Sequence, residues 1–267
     1  MSPATECAPR SIGVHLVAAL LLGFATAKAD PPRIAIIIDD LGYQLGAGMR
    51  AIDLPGPVAY AVLPATPRAA ALAEQAHQRG KEVLLHLPLQ SESHSGPAEP
   101  GAIMLNMGRE QLASAFSSSL ASVPYASGVN SHRGSLLTRQ PDHMSWLMQE
   151  IHDHGDLFFV DSFTTHRSIA LDLARESGIP AVKRDVFLDT RRDSAAIAEK
   201  FTELKQLAVV RGLALGIGHP YPETLTFLEQ ALPVLAAEGI ELIGISRLVA
   251  LESKRGIMSP AAAEEDP

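Results

Sequence analysis

A single cysteine, Cys7, occurs in 267 residues, and it sits in the N-terminal stretch. One thiol cannot form an intrachain disulfide, and a chain that loses its first residues has no thiol nucleophile either. Aromatic residues make up only 5%, too few for a broad platform that stacks sugar rings. Positive charge is also short: 22 Lys and Arg face 30 Asp and Glu, a formal net charge of -8, with no basic cluster. That balance argues against nucleic acid as a partner. The one extended apolar stretch that lacks charges runs from Ile12 to Ala27.

This stretch follows Arg10 and ends in Ala25-Thr26-Ala27, the small-residue pattern of a signal-peptide cleavage site. It is shorter than the ~20 apolar residues that span a bilayer, and His15 interrupts it. Residues 1–29 are therefore expected to be a signal peptide cut after Ala27 or Ala29, with an uncleaved anchor as the alternative. The mature chain is then periplasmic or otherwise secreted, has no stable membrane insertion and has lost Cys7.

At 46% hydrophobic and 19% charged, the remainder suits one α/β domain of ordinary core size, expected over residues 30–255. The small, acidic segment 256–267 reads as a disordered tail. No internal repeat is found. Apolar, β-branched runs predict strands at Ile34–Ile38, Val58–Val62, Glu82–Leu87, Gly128–Asn130, Leu157–Val160, Ala181–Arg184, Ala214–Ile217 and Glu241–Ile243. Between several of them the period becomes helical. Ala69, Leu72, Ala73 and Ala76 share one face, closed by Gly80, and further faces form at Leu112–Leu120, Ile197–Ala208 and Leu225–Leu235. This alternation predicts a parallel sheet, as a closed or distorted (β/α) barrel of about seven strands.

Ionisable and polar residues recur at the C-terminal ends of these strands. Asp39 and Asp40 end the first, His86 the third, Asn130, Ser131 and His132 the fourth, and Asp161 and Ser162 the fifth. Arg184, Asp185 and then Asp189 follow the sixth, and His219 ends the seventh. In a parallel barrel such groups converge on one rim. Two or three imidazoles with a carboxylate suit a catalytic divalent metal that keeps an open position, and a further carboxylate and imidazole suit a base and an acid. The blander reading of Asp39-Asp40 is a helix cap or Asx-turn. The loop from Ser91 to Gly101, rich in Ser, Pro and Gly, lies on the same face and is long enough to shape a site. His77, His94, His143, His152, His154 and His166 are assigned to helices, loops or caps.

At these residues the chain resembles the polysaccharide deacetylase superfamily, most closely its divergent secreted branch, over roughly residues 33–249. Ile38-Asp39-Asp40 is similar to the paired-Asp motif, which implies that Asp39 is a general base and Asp40 a metal ligand. Gly80-Lys81-Glu82 leading to His86 is similar to the motif that carries a metal-binding His. Leu215-Gly216-Ile217-Gly218-His219 looks like the strand whose His is a general acid. Two departures stand out. Gln90 occupies the position of a second metal His, and Asn130-Ser131-His132-Arg133-Gly134 replaces an Arg-x-Pro motif. His132 is inferred to supply the missing ligand, giving a site of Asp40, His86 and His132 for a divalent metal, zinc.

The resemblance implies removal of an N- or O-acetyl group from a glycan. Asp161 or Asp185 is expected to orient His219. Asn130 and Ser131 either hydrogen-bond sugar hydroxyls or form a turn, and Arg184 either holds one of the acids or makes a surface ion pair. The competing reading is a module that binds a glycan or a protein without turnover, which the loss of a metal His at Gln90 favours. Phosphoester hydrolysis is a third, without the Gly-rich loop or Lys/Arg cluster that it needs.

Overall fold

The computed structural model describes residue 1, residues 30–93 and residues 97–258. The expected signal peptide, Met1 aside, and the tail beyond residue 258 lie outside the described residues. The strands are β1 (Arg33–Leu41), β2 (Ala59–Val62), β3 (Val83–Leu89), β4 (Ala126–Arg133), β5 (Phe158–Asp161), β6 (Ala181–Lys183), β7 (Val186–Phe187), β8 (Leu213–Gly218) and β9 (Glu241–Leu242). The helices are α1 (Leu45–Ile52), α2 (Ala69–Gln78), α3 (Arg109–Ala121), α4 (Pro141–His154), α5 (Ala170–Glu176), α6 (Ser194–Arg211), α7 (Pro222–Ala231) and α8 (Ile245–Met258). Helix α8 thus continues three residues into the segment expected to be disordered.

One sheet runs in the order β6-β5-β4-β3-β2-β1-β8-β7, with β9 paired to the start of β1. Every pairing is parallel. The expected distorted barrel is the fold observed, with eight strands on the path where about seven were expected. The difference lies at Ala181–Phe187, where a single strand was expected to end at Arg184. Its first part, β6, ladders onto β5, and two residues later β7 ladders onto β8. The two ends of the sheet path are therefore neighbours in the chain.

Strand alternation sorts side chains to two sides of the curl. Ile34, Ile36 and Ile38 join the outer core with Leu72 of α2, Phe116 of α3 and Leu204 of α6. Ala35 and Ile37 point inward and pack with Ala61, Leu84, Val160, Leu215 and Ile217. Both sides are apolar, which is why the strands read as unbroken hydrophobic runs. Each fully buried Ile contributes about 1.5–3 kcal/mol relative to exposure. Helix ends follow their local signals: Asp193 accepts the Ala196 amide at the start of α6, and Gly212 closes that helix at φ 81°.

The inward parity decides what reaches the mouth. Asp39 continues Ala35 and Ile37, His86 continues Leu84, and His219 continues Leu215 and Ile217. Asn130 is level with His86 and with Val160. Apolar residues fill the interior below, and the polar residues close its upper end.

Candidate metal centre

Asp40 breaks the alternation. Its neighbour Asp39 takes the inward position, so a regular strand would turn Asp40 outward. Asp40 instead has φ 59°, and the β1–β2 register shifts between Ile38 and Leu41. Aspartate is among the few residues that enter the left-handed region without prohibitive cost. The twist brings Asp40 to the same mouth as Asp39.

There Asp40 meets two imidazoles. Its Oδ1 lies 3.3 Å from His86 Nε2 and 3.1 Å from His132 Nδ1, and the two ring nitrogens are 2.9 Å apart. Donors that share one ion at ~2.0–2.2 Å, at tetrahedral or octahedral angles, lie roughly 3–3.5 Å apart. The three atoms make such a triangle, and theirs is a group able to hold a metal ion among the described residues. Asp40 Oδ1 is buried without a hydrogen-bond donor, an orphan that a cation would satisfy. Burial opposes the charge on Asp40, but the His132 and His86 rings beside it outweigh that and hold the carboxyl well below its usual range. Burial pushes His86 down to about 4, against the pull of Asp40. A neutral imidazole and an ionised carboxylate are the forms that bind metals.

Asp39 faces the triad from beneath. It is 2% exposed, and burial raises its pKa well above the ordinary carboxylate value. Asn130 Nδ2 donates to its Oδ1 at 2.6 Å, while Oδ2 lies 3.5 Å from His86 Nε2. The Ser162 hydroxyl is shared between Asn130 Oδ1, at 2.7 Å, and the Ser131 carbonyl. Ser131 Oγ accepts the Ser162 amide at 3.0 Å. Asn130 and Ser131 are buried and committed to these internal bonds. Asn130 holds Asp39 directly, and Ser131 is tied to Asn130 through Ser162.

His219 stands on the other side of Asp40, with Nε2 3.9 Å from Asp40 Oδ2. Its Nδ1 is 2.8 Å from Asp189 Oδ1, and Asp189 Oδ2 accepts the His219 amide and the Thr224 hydroxyl. Burial would lower His219, but the Asp189 contact and then Asp39 and Asp40 raise it to about 9. The orienting carboxylate is therefore Asp189, not Asp161 or Asp185. Asp161 shares the outward parity of Phe159 and accepts from the Phe163 amide and Ser168. Asp185 binds Arg211 and the Leu215 amide. Arg184 donates to the Ser162 and Phe163 carbonyls and lies 3.6 Å over the Phe187 ring, bracing the turn after β5.

Gln90 turns from the triad: its Oε1 accepts the Leu105 amide at 2.7 Å. Glu99, in the loop after β3, was not among the expected site residues. Its Oε2 is 3.1 Å from His132 Nε2, on the side of the ring away from Asp40. A cleft of about 450 Å³ opens beside Asp40, lined by Tyr43, Gln44, Arg192 and Tyr221.

The chain belongs to the divergent polysaccharide deacetylase family, whose model matches residues 36–249. It is 34% identical over 230 residues to an uncharacterized protein of Haemophilus influenzae, covering 86% of this chain and 80% of that one. It is 35% identical over 217 residues to the uncharacterized protein YibQ of Escherichia coli, covering 81% of this chain and 67% of that one. A crystal structure of an uncharacterized protein of Agrobacterium tumefaciens matches with TM-score 0.78 at 24% identity, covering 82% of this chain and 90% of that chain. This last likeness shows the fold.

Proposed function

We propose that the protein is a zinc-dependent hydrolase that removes acetyl groups from a cell-envelope glycan, acting in the periplasm or otherwise outside the cell. The observation that carries this reading is the placement of three chemical functions around Asp40: the two imidazoles, the buried Asp39, and the Asp189-bound His219. Two imidazoles and one carboxylate form a donor set suited to zinc with positions left open. A bound divalent ion would supply Lewis acidity, polarising an acetyl carbonyl and making water acidic enough to lose a proton near neutral pH.

The chain's own residues do the rest. Asp39 takes the proton of the attacking water, through the Oδ2 that faces the triad. Its raised pKa makes it a stronger base than an exposed carboxylate. His219, held protonated by Asp189, gives a proton to the departing nitrogen or oxygen as the carbon–heteroatom bond breaks. Acetate and the freed amine or alcohol are the products. The cleft beside Asp40 has room for the sugar that carries the acetyl group, with Tyr43 and Tyr221 as its aromatic walls.

The test is acetate release from N-acetylated and O-acetylated glycans by the zinc-loaded chain. Release by the wild type, lost in Asp39→Asn with zinc still bound, supports the reading. Glycan binding without release by any preparation assigns the mouth to a non-catalytic binding module on the same fold.

A further inference from the structure

Glu99 and Arg133 approach the same nitrogen of His132. Glu99 Oε2 lies 3.1 Å from Nε2, and Arg133 Nε lies 3.2 Å from it. Arg133 Nη2 also pairs with Glu99 Oε1 at 2.8 Å. The two neighbours require opposite tautomers. A carboxylate only accepts, so it favours a proton on Nε2; a guanidinium only donates, so it favours a lone pair there.

The choice matters because the other nitrogen, Nδ1, faces Asp40 Oδ1 and His86 Nε2. With the proton on Nε2, Nδ1 turns a lone pair into the triad. With the lone pair on Nε2, Nδ1 carries a hydrogen into the triad and cannot bind a cation. We propose that Glu99 is a positioning residue that holds His132 in its ligating tautomer against Arg133, an inference that rests on the metal reading of Asp40, His86 and His132. Glu99 does this in two ways. It accepts the Nε2 hydrogen in a charge-assisted bond, and it engages the guanidinium that would otherwise donate to that nitrogen.

The loop that carries Glu99 has other moorings. Gln90 accepts the Leu105 amide, Glu92 pairs with Arg139, and Ser119 donates to the Gly101 carbonyl at 3.2 Å. Glu99→Ala therefore removes the contact to His132 without releasing the loop.

The experiment is competition titration of zinc against a chromophoric chelator, with the full chain and three variants, and cobalt absorption as a second readout. The wild type is expected to bind one zinc. Glu99→Ala is expected to weaken binding about 10–100-fold, the usual loss when an outer partner of a metal-bound imidazole is removed. Arg133→Ala should bind as tightly as the wild type or more tightly, and Glu99→Ala/Arg133→Ala should recover most of the loss, with a wild-type cobalt spectrum. Unchanged affinity in Glu99→Ala, or a double variant as weak as Glu99→Ala, overturns the proposal and leaves the metal centre standing. A wild type that binds no zinc overturns both.

Discussion

The side-chain amide of Asn130 donates to Asp39 Oδ1 at 2.6 Å, and this bond fixes which oxygen of the carboxylate faces the triad. Oδ1 is occupied from the barrel side, so Oδ2 is the one turned toward His86. The Ser162 hydroxyl on Asn130 Oδ1 sets the amide orientation in turn. Asn130→Ala removes a bond to a buried acid, worth ~1.5–3 kcal/mol when the acceptor is charged. The expected result is a loss of roughly 10–100-fold in kcat with zinc stoichiometry unchanged, read by steady-state kinetics beside elemental analysis.

His219 gives the pH dependence its sign. Its pKa is raised to about 9, so the acid form persists at neutral pH and is lost as pH rises through that value. Activity should therefore fall on an alkaline limb near pH 9. In Asp189→Asn the largest raising influence is gone while burial still lowers the pKa, so the limb moves to lower pH. A pH–rate profile of the two proteins checks this; an unmoved limb would remove His219 as the acid.

Gln90 marks the departure from the superfamily's paired metal histidines, yet its side chain is used elsewhere, on the Leu105 amide. Restoring the imidazole by Gln90→His is therefore expected to leave zinc affinity unchanged within twofold, because the side chain points to the loop. The lost bond should cost about 1 kcal/mol of stability. Zinc titration and thermal unfolding read the two effects separately.

Zinc should stabilise the fold, since the ligands come from three strands that meet only when the sheet forms. At a hundredfold excess over Kd the gain is about 2.7 kcal/mol, which raises Tm by roughly 5–10 °C for a domain of this size. Chelator should reverse the shift, and His86→Ala should show none.

The strands were legible because parallel strands buried on both sides show as apolar runs: Ile34–Ile38 and Ala214–Ile217 fall within β1 and β8. The helical faces at Leu72 and Phe201 were legible from their period. Strand β7 was not, since Val186 and Phe187 owe their assignment to pairing with β8, a tertiary fact. Asp40 is a site residue through a left-handed backbone that no spacing announces. Asp161 was mistaken for a partner of His219 because Phe158 and Phe159 are both apolar, so the sequence does not say which side of β5 faces inward. Asp189 and Glu99 reach His219 and His132 from loops, where no periodicity tells where a carboxylate points.

Metal content tests the centre most directly. Elemental analysis of purified wild type, Asp39→Asn and His132→Ala, each loaded with zinc and desalted, should give one equivalent, one equivalent and none. Full zinc stoichiometry in His132→Ala would contradict the assignment of Asp40, His86 and His132 as the ligands.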